Sequence, residues 1–462
     1  MLKIGAPERT MPKFELLRAL PLRWTLIWLI LPNLVIIAMW PIGGPSMAAP
    51  LFLGGLYAIA VSQLPSARLR RLGIAVLFAL VLGKYVTKSF NVDDLNILHM
   101  TAYFGQLQVF KAPEYLLAAA VLGVALLVAL KYEARAERFT SMQQLLMAGA
   151  TVALLVMADT YATAGVRGTY KASAPEGFPV DSAMLQNTIA PDTVAAKNLV
   201  VIIVESWGVP NNPVDKTIDD AIWNPAQWSA KYEVDSGIST YFGSTTNAEL
   251  RELCGVWADH LSFDFGSANC LPGQFREAGF QTTAMHSFNP DFFGRDEWYP
   301  QLGFDTIRFD QALQDRGARF CDGVFAGACD HDVPRQIGDT LRERSGSRNF
   351  IYWLTLNAHL PISANREMGT DTCDLGLPAW RKDYPILCRS YTAQRTLANS
   401  ITAEIMRDDF PQSDILIVGD HMPPFFPRAL RTRFDTTSVP WIHLTARRDG
   451  KGSAPASLAS AR

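Results

Sequence analysis

The chain has 462 residues, 49% of them hydrophobic, and its 42 basic side chains set against 44 acidic ones leave a formal net charge of −2. That balance excludes a protein that holds nucleic acid by bulk positive charge, and the length leaves room for about two or three domains. The apolar residues are concentrated before residue 160.

Five apolar runs in that first part approach the length needed to cross a bilayer: 24–40, 47–64, 72–87, 115–130 and 142–160. Lys84 interrupts the third run, so its ammonium must reach the membrane interface along its alkyl stem. Pro32 lies in the first, where neighbouring helices have to satisfy the carbonyl it frees. Lys3, Arg9, Lys13, Arg18 and Arg23 precede the first run, Arg68, Arg70 and Arg71 follow the second, and Lys131, Arg135 and Arg138 follow the fourth. The opposite loops hold Lys84, Lys88 and Lys111. Basic loops stay in the cytoplasm, so the N-terminus is expected there and everything after residue 160 outside. The first run has a long basic lead and no cleavage-site pattern, which makes it an anchor and not a removable signal.

The six cysteines, Cys254, Cys270, Cys321, Cys329, Cys373 and Cys388, all fall after residue 160. An even number confined to an exported half predicts disulfides. Sequence neighbours suggest 254–270, 321–329 and 373–388, although other pairings stay open. A zinc site built on these cysteines is disfavoured because no C-x-x-C is present.

Residues 161–197 lack sustained periodicity and read as a linker over the membrane surface. Strand-like apolar runs follow at 198–206, 280–287, 349–359, 414–421 and 439–446, with helix-like stretches between them such as 394–409. Alternating elements with near-continuous apolar strands predict an α/β domain at 198–448, its largely parallel sheet covered by helices on both faces. The tail, 449–462, reads as disordered.

Glu205, His286, His359 and the pair Asp420 and His421 each end one of these runs. In an open parallel sheet such ends share the rim where ligands bind, so groups far apart in sequence are expected to meet. Each alone has a structural explanation, as a cap or a polar strand end, but four strands ending this way favour a joint site. Two carboxylates and an imidazole form a mixed O/N set suited to Zn²⁺ or Mn²⁺. Such a set leaves a position open for a hydroxyl that the ion can make nucleophilic.

The segments "VVIIVESWG", "GSTTNAE", "MHSFNPDFFGRDEWYPQLGFD", "LTLNAHLP" and "GDHMPP" together resemble the ordered motifs of the alkaline phosphatase/sulfatase superfamily. They are most similar to its membrane-anchored lipoteichoic acid synthase and phosphoglycerol transferase group, which carries five N-terminal spans and an extracytoplasmic catalytic domain. The resemblance implies an alkaline-phosphatase-like fold, one divalent metal ion on Glu205, Asp420 and His421, and Thr245 as nucleophile and fourth ligand. It implies substrate-phosphate contacts at His286, Arg295 and His359; Phe293 stands where that group has a tryptophan against the glycerol. The implied activity moves a phospho-head group, phosphoglycerol in the first instance, from a membrane phospholipid to an envelope glycan or lipid through a phospho-threonine. Phosphoethanolamine transfer, phosphodiester hydrolysis and a non-catalytic lipid sensor are the alternatives. "ESWGVPNN" lacks the G-E-T-x-R start of phosphoethanolamine transferases, and "GDHMPP" lacks their S-D-H-G-E form.

Within "GSTTNAE", Thr246 with Glu249 three residues on forms the S/T-x-x-E pattern of a capping box. Ser244 then shapes the turn, and Thr245 is left free beside a helix N-terminus that favours an anion. "CLPGQFREAGF" has Gln274 where a sulfatase nucleophile motif has arginine, so Cys270 is not expected to act. His443 lies inside a strand run and reads as structural, while His99, His260 and His331 have no partner motif.

Overall fold

The computed structural model describes residues 20–89, 105–163 and 173–447. The described residues form two compact units: 20–89 with 112–163 and 426–429, and 105–111 with 173–425 and 430–447. The basic lead from Lys3 to Arg18, His99, residues 164–172 of the expected linker and the tail 449–462 lie outside the described residues.

Two helices of the first unit, Pro113–Arg135 and Met142–Ala162, are long and apolar enough to cross a membrane. The other three expected spans differ. The first is broken: Leu22–Trp24 runs into a π-turn at Thr25–Ile30, and the helix resumes only at Leu34–Met39. Pro32 supplies no N–H and its ring crowds the preceding turn; next to it Asn33 turns its N–H to Ile30 O at 3.1 Å and serves Leu29 O with Nδ2 at 2.7 Å. The second is a helix of 15 residues, Ala48–Ser62, and Pro65 lies just beyond its end. The third, Ala67–Ser89, has 23 residues, but its opening turns carry Arg68, Arg70 and Arg71. Arg70 is buried there, paired with Glu133 and donating to the carbonyls of Leu64 and Pro65. Asp159, fully buried, accepts from Trp40 Nε1 at 3.1 Å and from Met47 N at 2.9 Å. Charges inside an apolar unit persist when paired and hydrogen-bonded in this way.

The second unit is built on a seven-stranded sheet. Its strands are β1 (Asn198–Val204), β2 (Tyr232–Thr240), β3 (Phe280–His286), β4 (Thr306–Arg308), β7 (Arg348–Leu354), β8 (Ser413–Gly419) and β9 (Ser438–Ala446). The small pair β5 (Phe320–Cys321) and β6 (Gly327–Ala328) stands apart from it. The order is β2-β9-β8-β1-β7-β3-β4. The run from β8 to β4 is parallel, whereas β9 is antiparallel to both β8 and β2. The sheet is therefore mixed and mostly parallel. β1 and β8 are buried at every residue, and the apolar runs Leu199–Val204 and Ile415–Val418 make up most of each.

Two expectations need correction here. The run 349–359 leaves the sheet at Leu354, because later backbone donors go to a side chain: Leu356 N and Asn357 N both donate to the Asp330 carboxylate, at 2.8 and 2.6 Å. Residues 173–197 are not a surface linker. Ala183, Met184 and Ile189 belong to the sheet's hydrophobic core, and the Glu252 carboxylate receives Ala183 N and Met184 N.

Disulfides join Cys254 to Cys270, Cys321 to Cys329 and Cys373 to Cys388. The first closes a loop of 16 residues directly behind the helix Thr245–Cys254. Closing a loop of that length restricts the unfolded chain, so the Cys254→Ser/Cys270→Ser variant is expected to lose about 3 kcal/mol of stability, measured by urea unfolding.

Candidate active site

The parallel neighbours β8, β1, β7 and β3 end on one rim, and the candidate residues follow their ends. Glu205 comes directly after β1, Asp420 and His421 after β8, and His286 is the last residue of β3. His359 lies five residues beyond β7, in a loop and not at the strand end. Thr245 opens the helix Thr245–Cys254.

Each carboxylate has one oxygen tied and the other turned inward. Asp420 Oδ1 accepts from Ser206 N at 2.8 Å and from His421 N at 2.6 Å, while Oδ2 lies 2.9 Å from Thr245 Oγ1. Glu205 Oε1 accepts from Ser206 Oγ at 2.8 Å, while Oε2 lies 3.2 Å from the same hydroxyl. His421 Nε2 is 3.3 Å from it. Ser206 serves both carboxylates from a left-handed backbone, φ 57°, a conformation that costs a non-glycine residue energy. Gly208 lets the strand-end loops touch, since a Cβ there would sit 2.7 Å from Met422 Cα. Behind them the buried Arg251 donates to Gly419 O at 3.0 Å, and Gln394 Nε2 donates to Glu205 O at 3.0 Å.

Three histidines carry the same tautomer lock. Nδ1 of His286, His359 and His421 donates to the carbonyls of Leu354, Leu360 and Met422, at 3.1, 2.8 and 2.9 Å. Each imidazole therefore presents Nε2 as its second nitrogen. Burial, and the Arg295 guanidinium after it, hold His286 well below the ordinary imidazole value. Burial and the nearby His421 lower His359 to about 4. Burial and the Glu205 carboxylate push Asp420 up to about 7. His421 is pulled down by burial, but Asp420 and Glu205 outweigh that and leave it raised.

The helix start differs from the sequence expectation. Ser244, not Thr246, is the N-cap, and Asn247, not Glu249, reaches back, its Oδ1 accepting from Ser244 N at 2.8 Å. Gly243, at φ 77°, makes room: a Cβ there would lie 2.2 Å from that oxygen. Glu249 is drawn elsewhere because a buried carboxylate needs buried donors. Its Oε2 accepts from Arg295 Nε at 3.1 Å and Nη2 at 2.7 Å. Its Oε1 accepts from the hydroxyls of Tyr299 and Tyr352.

Arg295 is thus paired with Glu249, and its Nη1 also donates to Phe292 O at 3.1 Å. Phe293 lies beside it, with the guanidinium 5.5 Å from the ring centre. Phe293 joins Leu107 and Phe325 around the buried Phe288, Phe292 and Leu356. Phe325 lies against His359 with ring centres 3.7 Å apart. Cys270 is bonded to Cys254, so it presents no thiol. Cys321 and Cys329, which lie near His331, are bonded to each other and offer no thiolate. His443 Nδ1 pairs with Asn187 Oδ1 at 3.1 Å. Ser206, Arg251 and the role of Glu249 were not anticipated. None ends a strand or stands in a metal-ligand pattern, and only the S-W-G after Glu205 hinted at a tight turn.

The donor set fits a divalent metal ion. One oxygen of each carboxylate and the imidazole nitrogen lie 2.9–3.3 Å from the one hydroxyl, the ligand atoms of Glu205, Asp420 and His421 all lie within 4.8 Å of one another, and all four residues are buried. Glu205, Asp420 and His421 can hold the ion, with Thr245 beside them.

Residues 197–402 match the sequence profile of the Sulfatase family. This part of the chain is similar to a sulfatase domain. A Rhizobium meliloti protein named for cyclic beta-1,2-glucan modification is 26% identical over 318 residues, 64% of this chain. The match spans 44% of that relative, so the chain covers less than half its length. The lipoteichoic acid synthase of Listeria monocytogenes is 16% identical, with a TM-score of 0.44 over 56% of this chain and 68% of that one. The integral membrane lipooligosaccharide phosphoethanolamine transferase A of Neisseria meningitidis is 12% identical, with a TM-score of 0.46 over 93% and 88%.

Manganese or zinc at about 100 times its dissociation constant is expected to stabilise the protein by about 2.7 kcal/mol, read as a rise in unfolding midpoint that Asp420→Asn abolishes. The two depressed histidines set a pH dependence of opposite sign to a paired histidine. Between about 6.5 and 4 the unfolded chain binds the protons that folded His359 and His286 refuse, so they contribute stability that falls as pH falls. His359→Gln is expected to flatten that loss in urea midpoints taken from pH 7 to 4.

Proposed function

We propose that the protein transfers a phospho-head group, phosphoglycerol in the first instance, from a membrane phospholipid to an envelope glycan through a phospho-threonine at Thr245. The observation that carries this reading is the single hydroxyl set within 3.3 Å of Glu205, Asp420 and His421 at the start of a helix. A bound Mn²⁺ or Zn²⁺ on those ligands would lower the pKa of the Thr245 hydroxyl and offset charge on the phosphoryl oxygens. The helix N-terminus adds its own positive end beside the phosphate.

In the first half-reaction Thr245 Oγ attacks phosphorus, the bond from phosphorus to the diacylglycerol oxygen breaks, and the proton lost by threonine balances the one diacylglycerol gains. In the second, the acceptor oxygen attacks phosphorus, the bond from phosphorus to Thr245 Oγ breaks, and the proton taken from the acceptor hydroxyl by a base is returned to Thr245. His359 suits that role, being an unprotonated base at neutral pH whose Nδ1–H is already held. Arg295 keeps two N–H groups beyond its bonds to Glu249 and Phe292, and these suit phosphate oxygens. His286 Nε2, buried and unpartnered, is left as an acceptor because Nδ1–H is already held, and it suits a hydroxyl of the head group.

A glycan acceptor is supported by the relative named for glucan modification. A membrane donor is supported by the two apolar helices, and by the proposal that all five apolar runs cross, N-terminus in the cytoplasm and the sulfatase domain in the periplasm.

The test is trapping: purified protein is incubated with head-group-labelled phosphatidylglycerol or phosphatidylethanolamine, with and without chelator. Label from phosphatidylglycerol on Thr245, absent with chelator, is the expected result. Label from the ethanolamine lipid alone reassigns the donor, and none from either sinks the transferase reading. Thr245→Ala is expected to lose roughly a thousandfold or more in turnover, whereas Thr246→Ala keeps most of it.

A further inference from the structure

Glu249 stands one helical turn after Thr245, so the two side chains share a face of the helix Thr245–Cys254. It is fully buried and receives four donors on two oxygens: Nε and Nη2 of Arg295, and the hydroxyls of Tyr299 and Tyr352. All four donate to it, and Arg295 Nη2 forms an ion pair with it at 2.7 Å. Burial and this carboxylate hold both phenols well above their ordinary value, which keeps them donors. The charge of Arg295 is therefore cancelled where it stands. The other groups of the pocket add no compensating charge, since His286 and His359 are held neutral.

A substrate phosphate beside Thr245 meets two arginine N–H groups that can hydrogen-bond but little net positive charge outside the metal ligands. A phosphodiester brings one negative charge to such a pocket, and a phosphomonoester brings nearly two above its second pKa of about 6. In a buried site the second charge is felt across several ångströms, because water does not screen it. We propose that Glu249, by neutralising Arg295 one turn from the reacting hydroxyl, makes the site select phosphodiester monoanions over phosphomonoester dianions. Glu249 is a positioning and specificity residue, and it acts through Arg295. This rests on the reading of the site as a phosphoryl-transfer centre.

The test compares bis(p-nitrophenyl) phosphate with p-nitrophenyl phosphate at pH 8, using the full chain in detergent with saturating Mn²⁺. Glu249→Gln is expected to move the kcat/KM ratio about tenfold or more toward the monoester, a change of about 1.4 kcal/mol. Tyr352→Phe removes one hydrogen bond to Glu249 but no charge, and is expected to leave the ratio within about twofold. A Glu249→Gln ratio equal to wild type overturns the proposal, as does an equal shift in Tyr352→Phe. Should the wild type turn over neither ester, the phosphotransferase reading fails, and selectivity is read from binding alone.

A second measurement needs no variant. Calorimetric binding of phenyl phosphate to the wild type, divided by that of diphenyl phosphate, is followed from pH 5 to 8. Diphenyl phosphate is a monoanion throughout and corrects for titration of the protein. The ratio is expected to fall about tenfold as phenyl phosphate loses its second proton near pH 6; a flat ratio overturns the proposal.

Discussion

Two carboxylates, Glu205 and Asp420, lie buried within reach of one hydroxyl, and the surrounding structure makes that arrangement possible. Like charges in a poorly hydrated interior repel, and neither would remain there without donors to hold it. Each is tied by one oxygen to Ser206, whose left-handed backbone lets its N–H serve Asp420 and its hydroxyl serve Glu205. The strain at that residue is stored by the parallel pairing of β1 with β8, which fixes Val204 opposite Gly419 and so puts the two acids side by side. Arg251, from the helix that carries Thr245, closes the arrangement from behind by binding the carbonyl of Gly419.

The sequence made the rim legible because apolar strand interiors followed by polar ends are a pattern of one dimension. Glu205, His286, Asp420 and His421 could be placed from it, and the strand order brings their ends together. The edge strand β2 was not legible, since its residues alternate toward solvent and include Asp235, Ser236 and Gly237. β4 has three residues, too few to carry a period. His359 was assigned to a strand because its neighbours are apolar, whereas the local chain direction is decided by Asp330, a residue distant in sequence. Glu249 was misread for a related reason: a capping pattern is local, but a carboxylate goes where buried donors are, and these lie on β7 and on the helix Arg295–Leu302.

The first unit shows a similar limit. Hydropathy averages over a run, so it detects apolar stretches without registering the break at Pro32 or the charges buried among the helices. Arg70 with Glu133 and Asp159 with Trp40 and Met47 are polar contacts inside an apolar bundle. Such pairs fix register between helices that apolar packing alone would leave free to slide.

The shared tautomer of the three histidines has a wider meaning. His359 and His421 each bind the carbonyl of the next residue, and His286 binds that of a neighbouring strand, so no side chain sets which nitrogen faces the centre. Which nitrogen faces the centre is thereby written into the main chain. Aromatic and apolar neighbours such as Phe293, Phe325 and Leu107 can be exchanged without changing that tautomer, whereas the burial they supply is what holds His286 and His359 below the ordinary imidazole value.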